Sequence, residues 1–353
     1  MTNDVYATLS EKLGMPGAKV LPQIIQRLAT PTEAETLLAL PATPAEFAAK
    51  FGMDEAAAEA KLKLFVVKGL ALALTKEGVL RYHLVRHADQ LMESSSAAAF
   101  NRLFEPVPDD LLELWDLWRD TDNFMLADER DREAHSRVIP VLGAVKDTSV
   151  LLPYEDIAQI VRDAPAVAFI NCPCSMYRVT AGLCNRPLDV CLQFSEGAAR
   201  YIEEQGIGKR LTPEQAQDVL RRSAKAGLVP TVQGGKKIRY LCNCDSDCCA
   251  DLRIIVKTDH NFIDKSRFQA EVDQSLCNGC QTCVERCHFS AIEMRSAPGA
   301  KRMKAYVEPE KCYGCGACVV TCPVEGALSL KVVRPVEHIP LEAIKSTRGA
   351  SEG

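Results

Sequence analysis

The strongest constraint on this chain is a repeat. "CNGCQTCVERC" (277–287) sets four cysteines at spacings of three, three and four, and "CYGCGACVVTC" (312–322) repeats the pattern thirty-five residues later. Two-residue spacers require a tightly turning backbone, so each run can present its thiols only around a compact centre. All sixteen cysteines of the 353-residue chain lie between Cys172 and Cys322, and the first 171 residues have none. Structural disulfides are rare in a reducing cytosol, so clustered cysteines there point to metal or redox chemistry. The uneven distribution marks a first domain boundary.

The two runs have the Cys-x-x-Cys-x-x-Cys-x-x-x-Cys form that ligates [4Fe–4S] clusters, with the fourth cysteine crossing to the other cluster. Zinc more often takes two separated Cys-x-x-Cys pairs. Each run, with its flanks, resembles one half of a bacterial-type two-[4Fe–4S] ferredoxin. The resemblance implies one cluster on Cys277, Cys280, Cys283 and Cys322, and another on Cys312, Cys315, Cys318 and Cys287. "FQAEVDQSLC" and "KAYVEPEKC" lead in as strands, while "AIEM" and "ALSL" lead out. Gly279, Gly314 and Gly316 let the backbone approach the sulfides and offer N–H donors. Pro323 follows Cys322 as the pattern expects, but His288 stands where the first run should have proline. It is either a tolerated loop residue or an imidazole that makes the potential depend on pH. Such clusters pass single electrons, at about −400 mV in the related plant-type class, and do not by themselves choose a substrate.

Eight thiols remain: Cys172, Cys174, Cys184 and Cys191, then Cys242, Cys244, Cys248 and Cys249. Buried lone cysteines are commonplace, but two knots of four are not. They predict at least one further metal site, an iron–sulfur cluster with zinc as the rival, whose ligand subset the spacing leaves open. Adjacent Cys248 and Cys249 point apart and do not both serve one centre. Asp245 and Asp247 are either oxygen ligands or a solvated loop; Arg178 either offsets cluster charge or sits in solvent. "AVAFI" runs into "NCPC" and "KIRYL" into "CNC", two strands on either side of helices at 192–204 and from Thr212 to Gly227. A small α/β unit with its site at neighbouring strand ends is expected. From "VIPVLGAV" through "CNRPLDVCLQF" to "CNCDSDCC", residues 138–330 resemble a group of iron–sulfur, ferredoxin-like proteins of anaerobes. In some of these the later motif is richer in cysteine, so Asp245 and Asp247 stand where relatives carry thiols. The group implies electron transfer in anaerobic metabolism and no single reaction.

The N-terminal part reads differently. "TPAEFAAKFGM" opens on a Thr43–Glu46 capping box, and "DEAAAEAKLKLFVVKG" (54–69) repeats apolar residues at helical period. "LALALTKEGVLRYHLV" then reads as strand, turn at Lys76–Gly78, strand. Helix, turn, helix and a two-stranded wing resemble the winged-helix domain. The candidate recognition helix has no net charge, with its acids Asp54, Glu55 and Glu59 towards the end that would enter a groove. Protein docking is therefore expected and DNA binding is not. Leu111, Leu114, Trp115 and Trp118 share a helix face that should point into a core. "QGGKKI" has neither Walker nor dinucleotide-binding spacing.

A net charge of −5 gives no general attraction to nucleic acid or acidic membranes. The polar start "MTNDVYATLS" resembles no export signal, and no run approaches a membrane span, so a cytoplasmic location is expected. The expected class is multidomain α+β. It comprises a winged-helix-like docking domain (1–85), a helical connector (86–148), a cysteine-rich α/β domain (149–262), a dicluster ferredoxin domain (263–334) and a mobile-ended tail (335–353). The expected function is relay of single low-potential electrons between protein partners, within a larger oxidoreductase system, with self-association possible through the N-terminal half. The alternatives are a redox-responsive iron–sulfur transcriptional regulator and a reductase acting at the middle-domain cluster.

Overall fold

A computed structural model describes residues 4–124, 134–258, 263–297, 299 and 302–342. Helices α1 (Val5–Lys12), α2 (Leu21–Leu28) and α3 (Pro31–Leu37) begin the chain, and Leu9, Leu21, Ile24, Ile25 and Leu37 are buried in one core. The N-terminus of α2 is capped from far along the chain. Asp122 accepts from the backbone N–H groups of Lys19, Val20 and Leu21 at 3.0, 2.8 and 2.9 Å.

Helices α4 (Pro44–Phe51) and α5 (Glu55–Val67) follow, then the hairpin β1 (Ala71–Lys76) and β2 (Val79–Leu84). Both helix starts use the expected chemistry. Thr43 and Glu46 satisfy each other's backbone N–H groups, and Asp54 accepts from Ala57 N–H at 2.8 Å. The hairpin closes through Glu77 and Gly78, both at positive φ, the turn whose twist suits two antiparallel strands. An isolated bridge between Ala42 and Tyr82 adds a third short pairing.

Helices α6 (Ala88–Phe100) and α7 (Leu111–Asp120) complete this half. Leu111, Trp115 and Trp118 face the core as their spacing implies. The two indoles meet edge to face at 5.4 Å, and Trp115 donates to Ser95 Oγ.

The middle of the chain folds around a seven-stranded sheet. Its strands are β3 (Ser136–Val138), β4 (Val167–Ile170), β5 (Cys191–Gln193), β6 (Gly208–Leu211), β7 (Val229–Gln233), β8 (Tyr240–Cys244) and β9 (Ile263–Asp264). They lie in the order β6–β4–β5–β8–β7–β3–β9, and every pair except β3–β9 is antiparallel. This departs from the sequence reading in three ways. The two cysteine-bearing strands are not neighbours, because β5 lies between them. Leu192 and Gln193 belong to that strand, so the following helix starts only at Glu196. The sheet also extends to β3 and β9, outside the 149–262 boundaries. Short strands whose partners are far away in sequence carry little local signal.

Helices α8 (Ile157–Asp163), α9 (Met176–Thr180), α10 (Glu196–Glu204), α11 (Pro213–Ala226) and α12 (Ala250–Lys257) connect or flank these strands. Helix α11 starts at the Thr212 capping box and ends on Gly227 at φ +80°, as expected.

The last segment is two paired halves. Strand β10 (Phe268–Val272) pairs with β13 (Leu328–Val332), and β11 (Ile292–Arg295) with β12 (Lys304–Val307). Short helices α13 (Thr282–Glu285) and α14 (Ala317–Thr321) sit between, one in each cysteine run. Beyond β13 the chain makes one turn at Val336–His338 and buries Ile339. The expected mobile end lies outside the described residues. Among the described residues no helix is long and apolar enough to cross a membrane.

One buried ion pair joins the last segment to the middle. Arg267 donates through Nε and Nη2 to Glu155 at 2.7–3.0 Å, and Nη2 also reaches the Val150 carbonyl. The pair is almost wholly buried. Removing one partner strands a buried charge, so Glu155→Ala should cost about 3–5 kcal/mol. Anaerobic denaturant unfolding checks this; a loss under about 1 kcal/mol would mean the guanidinium is already satisfied by backbone carbonyls.

Candidate metal centres

The four thiols implied for the first cluster line one cavity: Cys277, Cys280, Cys283 and Cys322 surround it with Val272, Met294 and Leu328. A second cavity is lined by Cys287, Cys312, Cys315 and Cys318, with Phe289, Ile292 and Tyr313. Each cavity therefore takes three thiols from one run and the fourth from the other. The helices α13 and α14 carry Cys283 and Cys318 inward, and both side chains are buried.

Glycine makes this approach possible. Gly314 sits at φ +69°, and a Cβ there would lie 2.0 Å from the Phe268 carbonyl oxygen. Gly279, at φ +75°, has the Met303 carbonyl oxygen 2.3 Å from where its Cβ would be. The thiols' environments differ. Burial pushes Cys283 up to about 11 and Cys315 up to about 12, whereas hydrogen bonds from Thr282 hold Cys280 below the ordinary thiol value. Ala291 N–H points at Cys287 Sγ from 3.3 Å, the kind of donor that stabilises bound sulfur. Cys280 is exposed, and the other fifteen cysteines are buried or half-buried.

The middle domain gathers its thiols differently. Cys172 contacts Cys174 and Cys191; Cys191 contacts Cys242; Cys242 contacts Cys244; Cys244 contacts Cys249, which closes back on Cys174. Six sulfurs thus form a closed ring. The remaining two, Cys184 and Cys248, contact each other. Cys248 and Cys249 do point apart, one to the pair and one to the ring.

Within the ring, the S–H groups of Cys191 and Cys244 are aimed at Cys242 and hold it down to about 6, while neighbouring thiols and Ser175 keep Cys172 well below the ordinary value. Ser175 Oγ and Thr231 Oγ1 each lie 3.5 Å from a ring sulfur. None of the sixteen cysteines is in a disulfide. Among the described residues no three His, Cys, Asp or Glu side chains converge as a single metal ion would need.

The charged residues singled out from sequence have structural duties. Asp245 is only 4% exposed and accepts from Arg186 Nε at 2.8 Å, while its carbonyl takes the N–H groups of Cys248 and Cys249. It shapes the loop that carries both thiols, which a solvated loop residue would not. Asp247 is exposed. Arg178 faces Asp116 of α7 at 3.5 Å rather than solvent. His288 engages no thiol: Nε2 donates to the Gly227 carbonyl at 2.8 Å, and Nδ1 lies 2.9 Å from Ser246 Oγ. The proline this position lacks could make neither contact.

Sequence reasoning missed Arg186, Ser175, Thr231 and Thr282. Only proximity to a cysteine marked them, and that signal is shared by many idle residues.

Residues 276–326 match the family described as the 4Fe-4S dicluster domain. This segment is an iron–sulfur, ferredoxin-type domain. Among curated proteins, none matches the chain.

The cavities and glycine cradles yield a prediction. Gly314→Ala should lower iron by about four atoms per chain, one cubane's worth. Gly197→Ala, whose added Cβ meets nothing within 4 Å, should not. Iron and acid-labile sulfide assays on anaerobically prepared protein decide it.

Proposed function

We propose that the chain is an electron carrier between protein partners, with two [4Fe–4S] clusters in its last segment and a further iron–sulfur centre in the middle domain. The reading rests above all on the two cavities, each lined by four thiols with one contributed across the repeat. Clusters held there would accept and release single electrons without making or breaking bonds to a substrate. The protein's own contribution is to fix the sulfurs, to bury most of them, and to leave one side of the first set at the surface.

The proposed ligands are Cys277, Cys280, Cys283 and Cys322 for one cluster and Cys312, Cys315, Cys318 and Cys287 for the other. In the middle domain they come from the six-thiol ring, with Cys184 and Cys248 as a separate pair. A buried ring of six thiols suits a polynuclear iron–sulfur centre, and zinc remains its rival. Work in anaerobic metabolism, within a larger oxidoreductase system in the cytoplasm, is part of the same proposal.

The N-terminal half fits protein docking or self-association better than DNA binding. Two of its basic side chains are engaged by neighbouring carboxylates: Arg81 is paired with Glu46 at 2.8 Å and Lys63 with Glu59 at 2.7 Å. The hairpin tip exposes Leu74, Val79 and Leu80 instead. Nothing in its geometry favours the regulator reading.

One observation favours a second reading, reduction of a substrate at the middle site. A cleft of about 210 Å³ lies between α6 and the sheet, lined by Gln90, Glu93, Ile170, Gln193 and Tyr201 among apolar side chains. Gln193 is two residues from Cys191, so its side chain shares that cysteine's face of the sheet.

Total iron tests the main reading. About twelve irons per chain are expected if the middle centre is one cubane, and about eight if it holds zinc or nothing. Crossed ligation is tested separately. Cys322→Ser should disturb the cluster of the first run, seen as a changed electron paramagnetic resonance signal, while the cluster of its own run persists. The reverse pattern would overturn the assignment.

A further inference from the structure

The ferredoxin segment packs beside the thiol ring partly through residues the cluster motif does not require. His288 bonds at once to Ser246, between Cys244 and Cys248, and to Gly227 at the end of α11. The Gly227 oxygen can only accept, so Nε2 carries the proton and Nδ1 accepts from Ser246. Next in sequence, Phe289 stacks on Tyr313, with ring centroids 4.2 Å apart and planes within 17°. This aromatic pair and Cys315 pack against the core that contains Cys244 and Cys249. The Cys315 carbonyl accepts from Val141 N–H at 2.8 Å, and Ala144 packs over Gly316. Phe289, Tyr313, Cys315 and Gly316 line the second cavity, and His288 lies in the chain between Cys287 and Phe289, which also line it. In the first set Cys280 is exposed, and Leu276 and Met303 are 46% and 49% exposed.

We propose that His288, Phe289 and Tyr313 form a fixed junction coupling the buried thiol ring to the Cys287/Cys312/Cys315/Cys318 set. This rests on the proposed presence of iron–sulfur centres at both places. With iron–sulfur centres held at these places, one electron from a reduced protein donor, which is oxidised, would pass inward along the order first set, second set, ring; no bond to a substrate changes. The residue that departs from the repeat is thus the one that ties the wire to its inner terminus. A proline there would satisfy the motif and leave Ser246 and Gly227 without their bridge.

The test uses the full chain, prepared anaerobically with its metal, and two reductants: dithionite, and a small reduced two-cluster ferredoxin. With the protein donor, the wild type should show reduction of the dicluster segment followed by a rapid phase at the middle centre. His288→Pro and Ser246→Ala should keep their iron and their dithionite end point yet lose that rapid phase. They should also lose the magnetic broadening between the middle centre and its neighbour in the electron paramagnetic resonance spectrum. If His288→Pro sheds iron, Ser246→Ala decides. A rapid phase kept in an iron-replete junction variant, or a middle centre reduced before the dicluster segment, would overturn the route alone. A wild-type count of about eight irons would instead remove the middle centre on which the route depends.

Discussion

Strand direction decides where sulfur can gather in the middle of this chain. Strands β4 and β8 run the same way, with β5 running against them in between. The end of β4, the start of β5 and the end of β8 therefore share one edge of the sheet. One step along the register that pairs Leu192 with Leu241, Cys191 faces Cys242. Cys172 and Cys174 leave β4 at the same edge, and Cys249 opens the helix that follows β8. A parallel arrangement with the same cysteines would place Cys191 at the far end of its strand, and no ring could close.

The N-terminal half forms a wall of this site. Cys174 packs against its core. Asp116 of α7 receives Arg119 and two guanidinium groups from the middle domain, Arg178 and Arg253, while Asp120 takes Arg253 and Lys257. Arg119 and Arg253 are buried, and among the described residues two nitrogens of Arg119 and one of Arg253 have no hydrogen-bond partner. Positive charge is thus concentrated at the α7 interface, in a protein whose proposed cofactors are anionic. Losing either carboxylate would leave like charges facing one another in a poorly hydrated place.

Much of this was legible from the residues alone. The repeated runs came directly from spacing, because local backbone geometry is what that spacing encodes, and their flanking strands came from the resemblance to a two-cluster ferredoxin. Helices with strong caps, such as those after Thr43 and Thr212, were equally plain. What could not be read was non-local. Strand β5 is three residues long and owes its existence to neighbours on both sides, so its sequence looks like the start of a helix. The choice among eight middle-domain thiols is set by sheet order, which no spacing reports. The role of Asp245 depended on Arg186, fifty-nine positions away. His288 stood out only as a mismatch; its meaning came from Ser246 and Gly227, on elements that sequence gave no reason to bring together.

Gly227 carries one more implication. Its positive φ ends α11, its carbonyl holds His288, and a methyl group on its α-carbon would fall 2.0 Å from Arg286 Nη1. Three unrelated demands meet on one residue that has no side chain to adjust. Whatever replaced it would have to swing the Arg286 guanidinium aside while keeping both the left-handed turn and the carbonyl that holds His288.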